Sequence, residues 1–154
     1  MDWGRHHQAA VLIVETAGLC LRCAPHVEGV LAVTVLDSLG GLDAPGKIGP
    51  MLALADLVVL TKGDLVSQAE REVLLHGIAA VNPGATVLAV NGLTGTGSLL
   101  LMRRILAWPD SEAVGSRRLR HDMPAGICSY CTGERRIGRD YQTGNVEKLA
   151  WRRA

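Results

Sequence analysis

Continuous apolar runs alternate with helix-like segments along most of the chain. Four short runs rich in aliphatic and β-branched residues predict buried strands over residues 9–14, 30–36, 57–60 and 86–90. Continuous runs of this length are typical of parallel strands that are covered on both faces. Polar or Gly-containing residues follow each run and indicate where the strands end.

The segment between the third and fourth runs predicts a helix. Ser67 followed by Glu70 matches a capping box, in which each side chain accepts a hydrogen bond from the other residue's backbone N–H. Apolar residues then recur on one helical face until Pro83 ends the pattern. Two further helices are predicted over 48–54 and 98–107. This order of elements predicts an α/β fold, a mostly parallel sheet flanked by helices.

The character of the sequence changes after Pro109. Residues 1–109 are predicted to form the sheet domain, and residues 110–126 are polar and interrupted by Gly and Pro, as linkers are. Residues 127–154 form a small tail that contains two cysteines and has little apolar periodicity. Such a short segment needs a staple to fold, so we expect a bound metal there.

Composition and charge narrow the class of protein. The chain is 48% hydrophobic, nearly all of it aliphatic and none of it Phe, which favours a covered parallel sheet over a sandwich. Residues 117–154 hold nine basic residues against four acidic ones, but aromatic residues do not alternate with them, which argues against nucleic-acid binding. The first apolar run is too short for a signal peptide or a membrane span, so we expect a cytoplasmic protein without a membrane partner.

The residues that follow the first predicted strand suit a magnesium-bound phosphate. Ligands of parallel α/β sheets bind at the carboxyl ends of the strands. Glu15 follows the first strand, where a carboxylate can hold Mg²⁺ directly or through water. Gly18, three residues later, allows a backbone N–H to approach a terminal phosphate without a side chain in the way.

The loops after the third and fourth predicted strands suit a purine base. Thr61, Lys62 and Asp64 follow the third strand, and a carboxylate such as that of Asp64 can accept two hydrogen bonds from the guanine N1 and N2 donors. Adenine offers no such pair of donors, so this acceptor would select guanine. Asn91 and Gly92 open a glycine-rich loop after the fourth strand. The alternative for Asp64 is an exposed cap of the helix that begins near Ser67.

Two C-x-x-C pairs predict metal sites. Cys20, Cys23 and His26 offer two thiolates and an imidazole, three ligands of a tetrahedral site for Zn²⁺ or a related soft divalent ion. Cys128 and Cys131 form the second pair, in the tail. One shared four-cysteine site for zinc or an iron–sulfur cluster, two separate half-sites, and a redox dithiol all stay open.

Another glycine-rich segment resembles a phosphate-binding loop. Residues 41–47 fit G-x-x-x-x-G-K, but the next residue, Ile48, has no hydroxyl for Mg²⁺. Pro45 also removes one of the N–H groups that such a loop uses. We therefore predict a surface turn at this segment.

The order and spacing of these segments resemble the P-loop GTPases of metalloenzyme assembly, namely the hydrogenase and urease nickel-insertion GTPases and the CobW-type proteins. The resemblance is carried by residues 14–20, 23–25, 43–47 and 55–65, and it extends over roughly residues 9–107. It implies a partial P-loop NTPase fold for residues 1–109, with GTP or GDP and Mg²⁺ as cofactors. It also implies a client metalloenzyme or its accessory protein as a partner. A homodimer is a further option, since a second copy could supply a fourth ligand to the site of Cys20, Cys23 and His26.

The resemblance also assigns roles to individual residues. Glu15 and Gly18 correspond to the third GTPase motif, and residues 91–95 to the last base-contacting loop. Residues 61–64 correspond to the guanine-specificity motif, where Thr61 replaces the usual Asn. A Cys-Pro or Cys-Pro-His element of the nickel GTPases corresponds to residues 23–26, which contain one inserted Ala, and this implies zinc or nickel binding coupled to the nucleotide state.

The resemblance leaves one motif unmatched. The G-x-x-x-x-G-K-[ST] loop of these GTPases would lie before Glu15, where fourteen residues are present. We therefore expect a fragment of a longer GTPase, inactive in hydrolysis by itself, with no catalytic residue of its own. The competing functions are a non-enzymatic zinc or iron–sulfur scaffold and an RNA-binding or partner-binding module that uses the basic tail.

Overall fold

The computed structural model of the chain describes residues 2–16, 20–109, 118–122 and 124. The chain divides into two compact units, Met1–Met123 and Pro124–Ala154. All of the predicted tail, residues 127–154, lies outside the described residues, so the proposed division into sheet domain, linker and tail stays a prediction.

The described residues form five α-helices and three β-strands, joined in places by short 3₁₀ helices over Ser38–Gly40 and Gly63–Leu65. In chain order the elements are α1 (Asp2–His6), β1 (Val33–Asp37), α2 (Ala44–Ile48), α3 (Pro50–Ala53), β2 (Leu57–Thr61), α4 (Gln68–Val81), β3 (Thr86–Val90) and α5 (Ser98–Leu106).

The three strands form one parallel sheet in the order β1-β2-β3. The register runs from Val33 opposite Leu57 and Thr86 at one edge to Asp37 opposite Thr61 and Val90 at the other. The predicted α/β fold with a parallel sheet is therefore confirmed. Because all three strands run the same way, their carboxyl ends lie side by side at a single edge.

The main core lies between one face of the sheet and the helices α2, α3 and α4. The central strand β2 is buried at four of its five positions, as a strand with a neighbour on each side must be. The core residues are aliphatic, and burial of each Leu, Val or Ile side chain among them stabilises the fold by roughly 1.5–3 kcal/mol. They are Leu36, Ala44, Leu52, Ala55, Val58, Leu60 and Ile78.

Side-chain hydrogen bonds are found at both ends of helix α4. Ser67 Oγ accepts from the Glu70 N–H at 3.3 Å, and Glu70 Oε2 accepts from the Ser67 N–H at 2.8 Å, so the predicted capping box is confirmed. Just after the helix, the Asn82 side-chain amide donates to the carbonyls of Leu52 and Ala55, both at 2.9 Å. This amide ties α4 to the end of α3.

Two element predictions are wrong. Residues 9–14 form no strand; they are exposed, with Ile13 at 77% and Val14 at 69%, and within the described residues no strand lies beside them. An apolar run becomes a strand only where a neighbouring backbone pairs with it. The helix predicted over 48–54 is the shorter α3 (Pro50–Ala53), and Ile48 instead ends α2 (Ala44–Ile48), because Gly49 adopts φ 38° and Pro50 lacks an N–H to continue α2.

The surface turn predicted at residues 41–47 is wrong for the second half of the segment, because residues 42–43 form a turn and α2 begins at Ala44, which is buried. Its Pro45 is buried, and a Cβ at Gly77 of α4 would lie 3.2 Å from the Pro45 ring, so this proline packs closely against α4. Its Lys47 pairs with Asp43 at 2.7 Å on the surface. Pro45 is therefore used in packing against α4, and Lys47, the residue that would bind a phosphate, is used in a surface ion pair.

Residues 118–121, inside the predicted linker, lie against the amino edge of the sheet, and we call this segment the strap. Leu119 bridges Val27 in antiparallel fashion, and the Arg120 N–H donates to the His26 carbonyl at 2.9 Å. The Arg120 guanidinium donates to Asp56 Oδ1 at 2.8 Å and to the carbonyl of Val30 at 2.6 Å. Asp56 in turn accepts from the Ala32 N–H just before β1 at 2.9 Å, so one ion pair joins the beginnings of two strands.

Replacing Arg120 by Ala should lower the free energy of unfolding by about 2–4 kcal/mol, because Asp56 and two carbonyls lose a charged donor where little water reaches them. Urea unfolding followed by circular dichroism measures this. Arg118→Ala is the matched control, since that exposed residue contributes only its backbone carbonyl to the strap. Equal stability of the two variants would show that the strap does not hold the sheet.

Candidate functional site

The carboxyl edge of the sheet gathers the polar loops predicted to bind a base. The register places Asp37, Thr61 and Val90 in one row across the three strands. The loops that follow are the 3₁₀ turn over Ser38–Gly40, the turn over Gly63–Leu65, and residues 91–97. The predicted residues Thr61, Lys62, Asp64, Asn91 and Gly92 therefore lie on two neighbouring strand ends.

The turn after β2 exposes a carboxylate. Lys62 adopts the left-handed conformation, φ 57° and ψ 27°, and its carbonyl accepts from the Leu65 N–H at 3.1 Å to close the turn. Asp64 lies within this turn and is exposed. Within the described residues no hydrogen bond or ion pair engages its side chain, so the carboxylate is available to a ligand. The structure does not use it as the helix cap, which is Ser67.

Two neighbouring side chains fasten this turn to the end of β1. The Thr61 hydroxyl donates to the Leu36 carbonyl at 3.3 Å, and the Ser38 hydroxyl donates to the Thr61 carbonyl at 2.6 Å. The Thr that stands in place of Asn in the predicted specificity motif therefore has a structural role between the strands.

Asp37 is a residue that the sequence reasoning missed. Its Oδ2 accepts from Lys62 Nζ at 2.5 Å, and its Oδ1 accepts from the Leu39 N–H at 2.9 Å. The Lys62 ammonium, and next the Leu39 N–H, hold the pKa of this carboxyl below its usual range, so it is ionised near neutral pH. The signal was available, because Asp37 is the polar residue that ends the second apolar run.

The loop after β3 is closed by its own hydrogen bonds. Asn91 Oδ1 accepts from the N–H groups of Leu93 at 2.9 Å and Thr94 at 3.0 Å, as in an Asx turn. The Asn91 N–H donates to the Thr96 carbonyl at 2.9 Å. The Asn91 side-chain oxygen is thus used inside the loop, and the loop holds one shape next to the turn after β2.

Within the described residues, Glu15 is not joined to this edge. Glu15 is exposed, in the irregular segment that includes the wrongly predicted strand, and no hydrogen bond within the described residues links it to Asp64 or Asn91. Gly18 lies outside the described residues. Their assignment to Mg²⁺ and to a terminal phosphate stays a prediction.

The first cysteine pair lies in a tight turn. The N–H groups of Cys23 and Ala24 donate to the Cys20 carbonyl at 3.0 and 2.9 Å, and this brings the two thiol sulfurs to 3.9 Å from each other. Within the ranges described, no three His, Cys, Asp or Glu side chains are close enough to hold one metal ion. Cys128 and Cys131 lie outside those ranges, so the metal assignments stay predictions.

Within the described residues, His26 is not grouped with the two thiols, and it has contacts of its own. Its Nδ1 lies 3.3 Å from the Leu54 carbonyl, which can only accept, so Nδ1 carries the proton and Nε2 is left with a lone pair. Burial is the largest influence on this ring and lowers the pKa of His26, while the Leu54 carbonyl opposes it. The backbone N–H of His26 donates to Nε2 of His121 at 3.2 Å. His121 was not a predicted site residue.

Comparison with known proteins supplies a family. Residues 4–89 match the family described as CobW/HypB/UreG, nucleotide-binding domain. The chain is 40% identical over 149 residues to "Uncharacterized protein MJ0120" of Methanocaldococcus jannaschii. The aligned residues cover 97% of this chain and 64% of that protein. The chain therefore spans less than two thirds of the length of this relative.

A solved structure is also similar in part. The crystal structure of the hydrogenase maturation factor HypB from Archaeoglobus fulgidus has 26% sequence identity and a TM-score of 0.42, over 48% of this chain and 39% of that one.

Among the helices of the described residues, none has the length and apolar character needed to span a membrane.

The glycines of the loop after β3 allow a graded test of its shape. A Cβ at Gly97 would lie 2.1 Å from the Ala89 carbonyl oxygen, and Gly97 adopts φ 84°. Gly97→Ala should therefore lower the free energy of unfolding by about 2–4 kcal/mol. Gly92→Ala, which meets open space, should stay within about 0.5 kcal/mol of the parent chain. Thermal and urea unfolding measure both, and similar values would contradict the closed loop.

Proposed function

Because the chain belongs to the CobW/HypB/UreG nucleotide-binding domain family, we propose that it binds a guanine nucleotide at the carboxyl edge of its sheet and couples this binding to metal handling in metalloenzyme assembly. The matched residues include the turn after β2 and end just before Asn91. GTP or GDP with Mg²⁺ is the proposed cofactor, and a client metalloenzyme or its accessory protein is the proposed partner. A second copy of the chain is a further candidate partner.

The observation that carries this proposal is the unengaged Asp64 carboxylate next to the closed loop after β3. A guanine ring placed between these two loops offers N1–H and N2–H donors on one side, which a carboxylate can accept as a pair. The Asn91 side-chain NH₂ remains available to the opposite, acceptor side of the base, since its oxygen is engaged within the loop. A base without the two donors would leave Asp64 unpaired, and this is the proposed source of specificity.

The proposal covers nucleotide binding and does not extend to hydrolysis by these residues. The G-x-x-x-x-G-K pattern of the sequence, at residues 41–47, leads into α2, and its Lys47 pairs with Asp43. Glu15 is the proposed carboxylate for Mg²⁺ and Gly18 the proposed contact to a phosphate. Magnesium bound there would neutralise phosphate charge, while Thr61, Lys62, Asp64, Asn91 and Gly92 would select and orient the base.

The metal side of the proposal rests on the first cysteine pair. Two thiolates on one tetrahedral zinc ion, each with a bond of about 2.3 Å, lie about 3.8 Å apart. The 3.9 Å between the Cys20 and Cys23 sulfurs fits that spacing and is far from the roughly 2.05 Å of a disulfide. His26 is not grouped with the two thiols within the described residues, so its ring would have to move to become the proposed third ligand through its unprotonated Nε2. Cys128 and Cys131 are the proposed ligands from the tail. Zinc or nickel is the proposed cargo, with an iron–sulfur cluster as the alternative.

A second candidate function uses the cysteines alone. The 3.9 Å spacing of the first thiol pair is set by the turn over Cys20–Ala24 and involves no residue of the proposed guanine site, so a zinc or iron–sulfur scaffold that does no nucleotide chemistry would have the same geometry. The two functions differ in whether guanine binding exists at all, and the first of the following predictions separates them.

Asp64→Asn should reduce the preference for GDP over ADP at least about tenfold, because one of the two acceptor oxygens becomes a donor that faces the guanine donors. Amide chemical shifts during titration with each nucleotide, at millimolar concentration with Mg²⁺, give the two affinities. Asp43→Asn is the matched control, an exposed aspartate on the turn before α2. A parent chain that binds the two nucleotides equally would contradict the guanine site and favour the scaffold.

Cys20→Ser and Cys23→Ser should each remove most of the metal bound at the first pair, since a serine hydroxyl is a poor ligand for soft ions. Elemental and sulfide analysis after anaerobic purification measures this, with Cys128→Ser alongside to test the tail. His76→Ala, an exposed histidine of α4, is the control. Metal content that none of the cysteine substitutions changes would end the metal proposal.

A further inference from the structure

We propose that Asp37 is a positioning residue of the guanine site, which holds Lys62 and through it sets where the Asp64 carboxylate lies. This inference rests on the proposed function and adds to it a residue from the neighbouring strand β1, outside the predicted specificity motif. It is carried by the backbone conformation of Lys62, by the contacts of Asp37 and by the shape of the turn that follows.

The backbone of Lys62 is in an uncommon conformation. Its φ of 57° and ψ of 27° lie in the left-handed region, which lysine seldom occupies because the Cβ crowds the backbone. A residue stays in that region only where its surroundings determine it. Lys62 stands immediately before the turn over Gly63–Leu65, so its conformation decides the direction in which the turn leaves β2.

Asp37 holds the side chain of Lys62 by an ion pair. One carboxylate oxygen binds Lys62 Nζ at 2.5 Å, and the other accepts from the Leu39 N–H at 2.9 Å. With both oxygens engaged, the carboxylate has a fixed orientation, and it fixes the end of the Lys62 side chain in turn. The bonds of Thr61 and Ser38 described above hold the preceding residue of the same loop.

The turn transmits this restraint to Asp64. The Lys62 carbonyl accepts from the Leu65 N–H, so the residues between them form one closed turn with Asp64 at its centre. A change in the Lys62 backbone angles would rotate that turn and displace the Asp64 side chain. Two hydrogen bonds to one base edge depend on distance and angle together, so a displaced carboxylate loses discrimination before it loses all binding.

The ion pair acts on geometry more than on stability. The two side chains are 52% and 42% exposed, and ion pairs at that exposure stabilise proteins little in water. Asp37→Asn keeps an oxygen for the Leu39 N–H but removes the charge that attracts Lys62. The variant should therefore fold normally, and its defect should appear in base selection.

The experiment compares Asp37→Asn with Asp43→Asn, which removes a surface aspartate–lysine pair of similar kind, Asp43 with Lys47. Amide spectra of the free proteins give the first readout. Residues 61–65 should shift in Asp37→Asn and remain unchanged in Asp43→Asn. The second readout is the ratio of GDP to ADP affinity by the same titration, which should fall about three- to fivefold in Asp37→Asn alone. Asp37→Glu, which keeps the charge, should recover part of the ratio.

The outcomes separate this inference from the proposed function. A parent chain that prefers guanine, with Asp37→Asn retaining the full preference, would overturn the positioning role and leave the guanine site standing. Equal weakening of GDP and ADP binding would also overturn it, because that is the result of a general structural defect. A parent chain with no preference for guanine would overturn the proposed site and the positioning role together.

Discussion

The parallel, in-register pairing of two strands on either side of β2 is the constraint on which the rest of this structure depends. A buried strand must pair all its backbone groups, and β2 does so with β1 on one side and β3 on the other. Parallel direction then forces the carboxyl ends of all three strands into one row. Polar residues far apart in the sequence, Asp37, Thr61 and Asn91, are neighbours in space for this reason alone.

The two edges of the sheet differ in whether their polar side chains are already bonded within the protein. At the amino edge, the Arg120 guanidinium satisfies Asp56 and the carbonyls between residues 27 and 30, so these groups are used in holding the strand beginnings together. At the carboxyl edge, Asp64 stays exposed and unengaged among the described residues, while the surrounding loops are held by their own bonds. A ligand site needs both properties, a rigid frame and polar groups that the protein itself has not used.

Backbone conformations of positive φ give the carboxyl-edge loops their fixed shapes. Lys62 is left-handed before the turn that presents Asp64, and Gly97 closes the loop after β3 where a Cβ would strike the Ala89 carbonyl. Only glycine fits without strain at the second position. At the first, a lysine adopts the left-handed conformation, and its ammonium group pairs with Asp37. Each of the two loops therefore contains a seldom populated backbone conformation, as is common where proteins bind ligands.

The sequence by itself determined what is local. The capping box of α4, the buried run of β2, the extent of β3 and the turn residues after each strand are set by neighbours within a few positions, and they were predictable together with the guanine-binding candidates and the family. Only the tertiary structure decided what depends on distant partners. Residues 9–14 look like a strand but have no strand beside them in the part of the chain that the structure describes. Asp37 pairs with a lysine 25 residues away, and Arg120, in a segment predicted to be a linker, joins two strand beginnings. The physical reason is that hydrogen bonds and ion pairs between remote segments exist only once the sheet has brought those segments together.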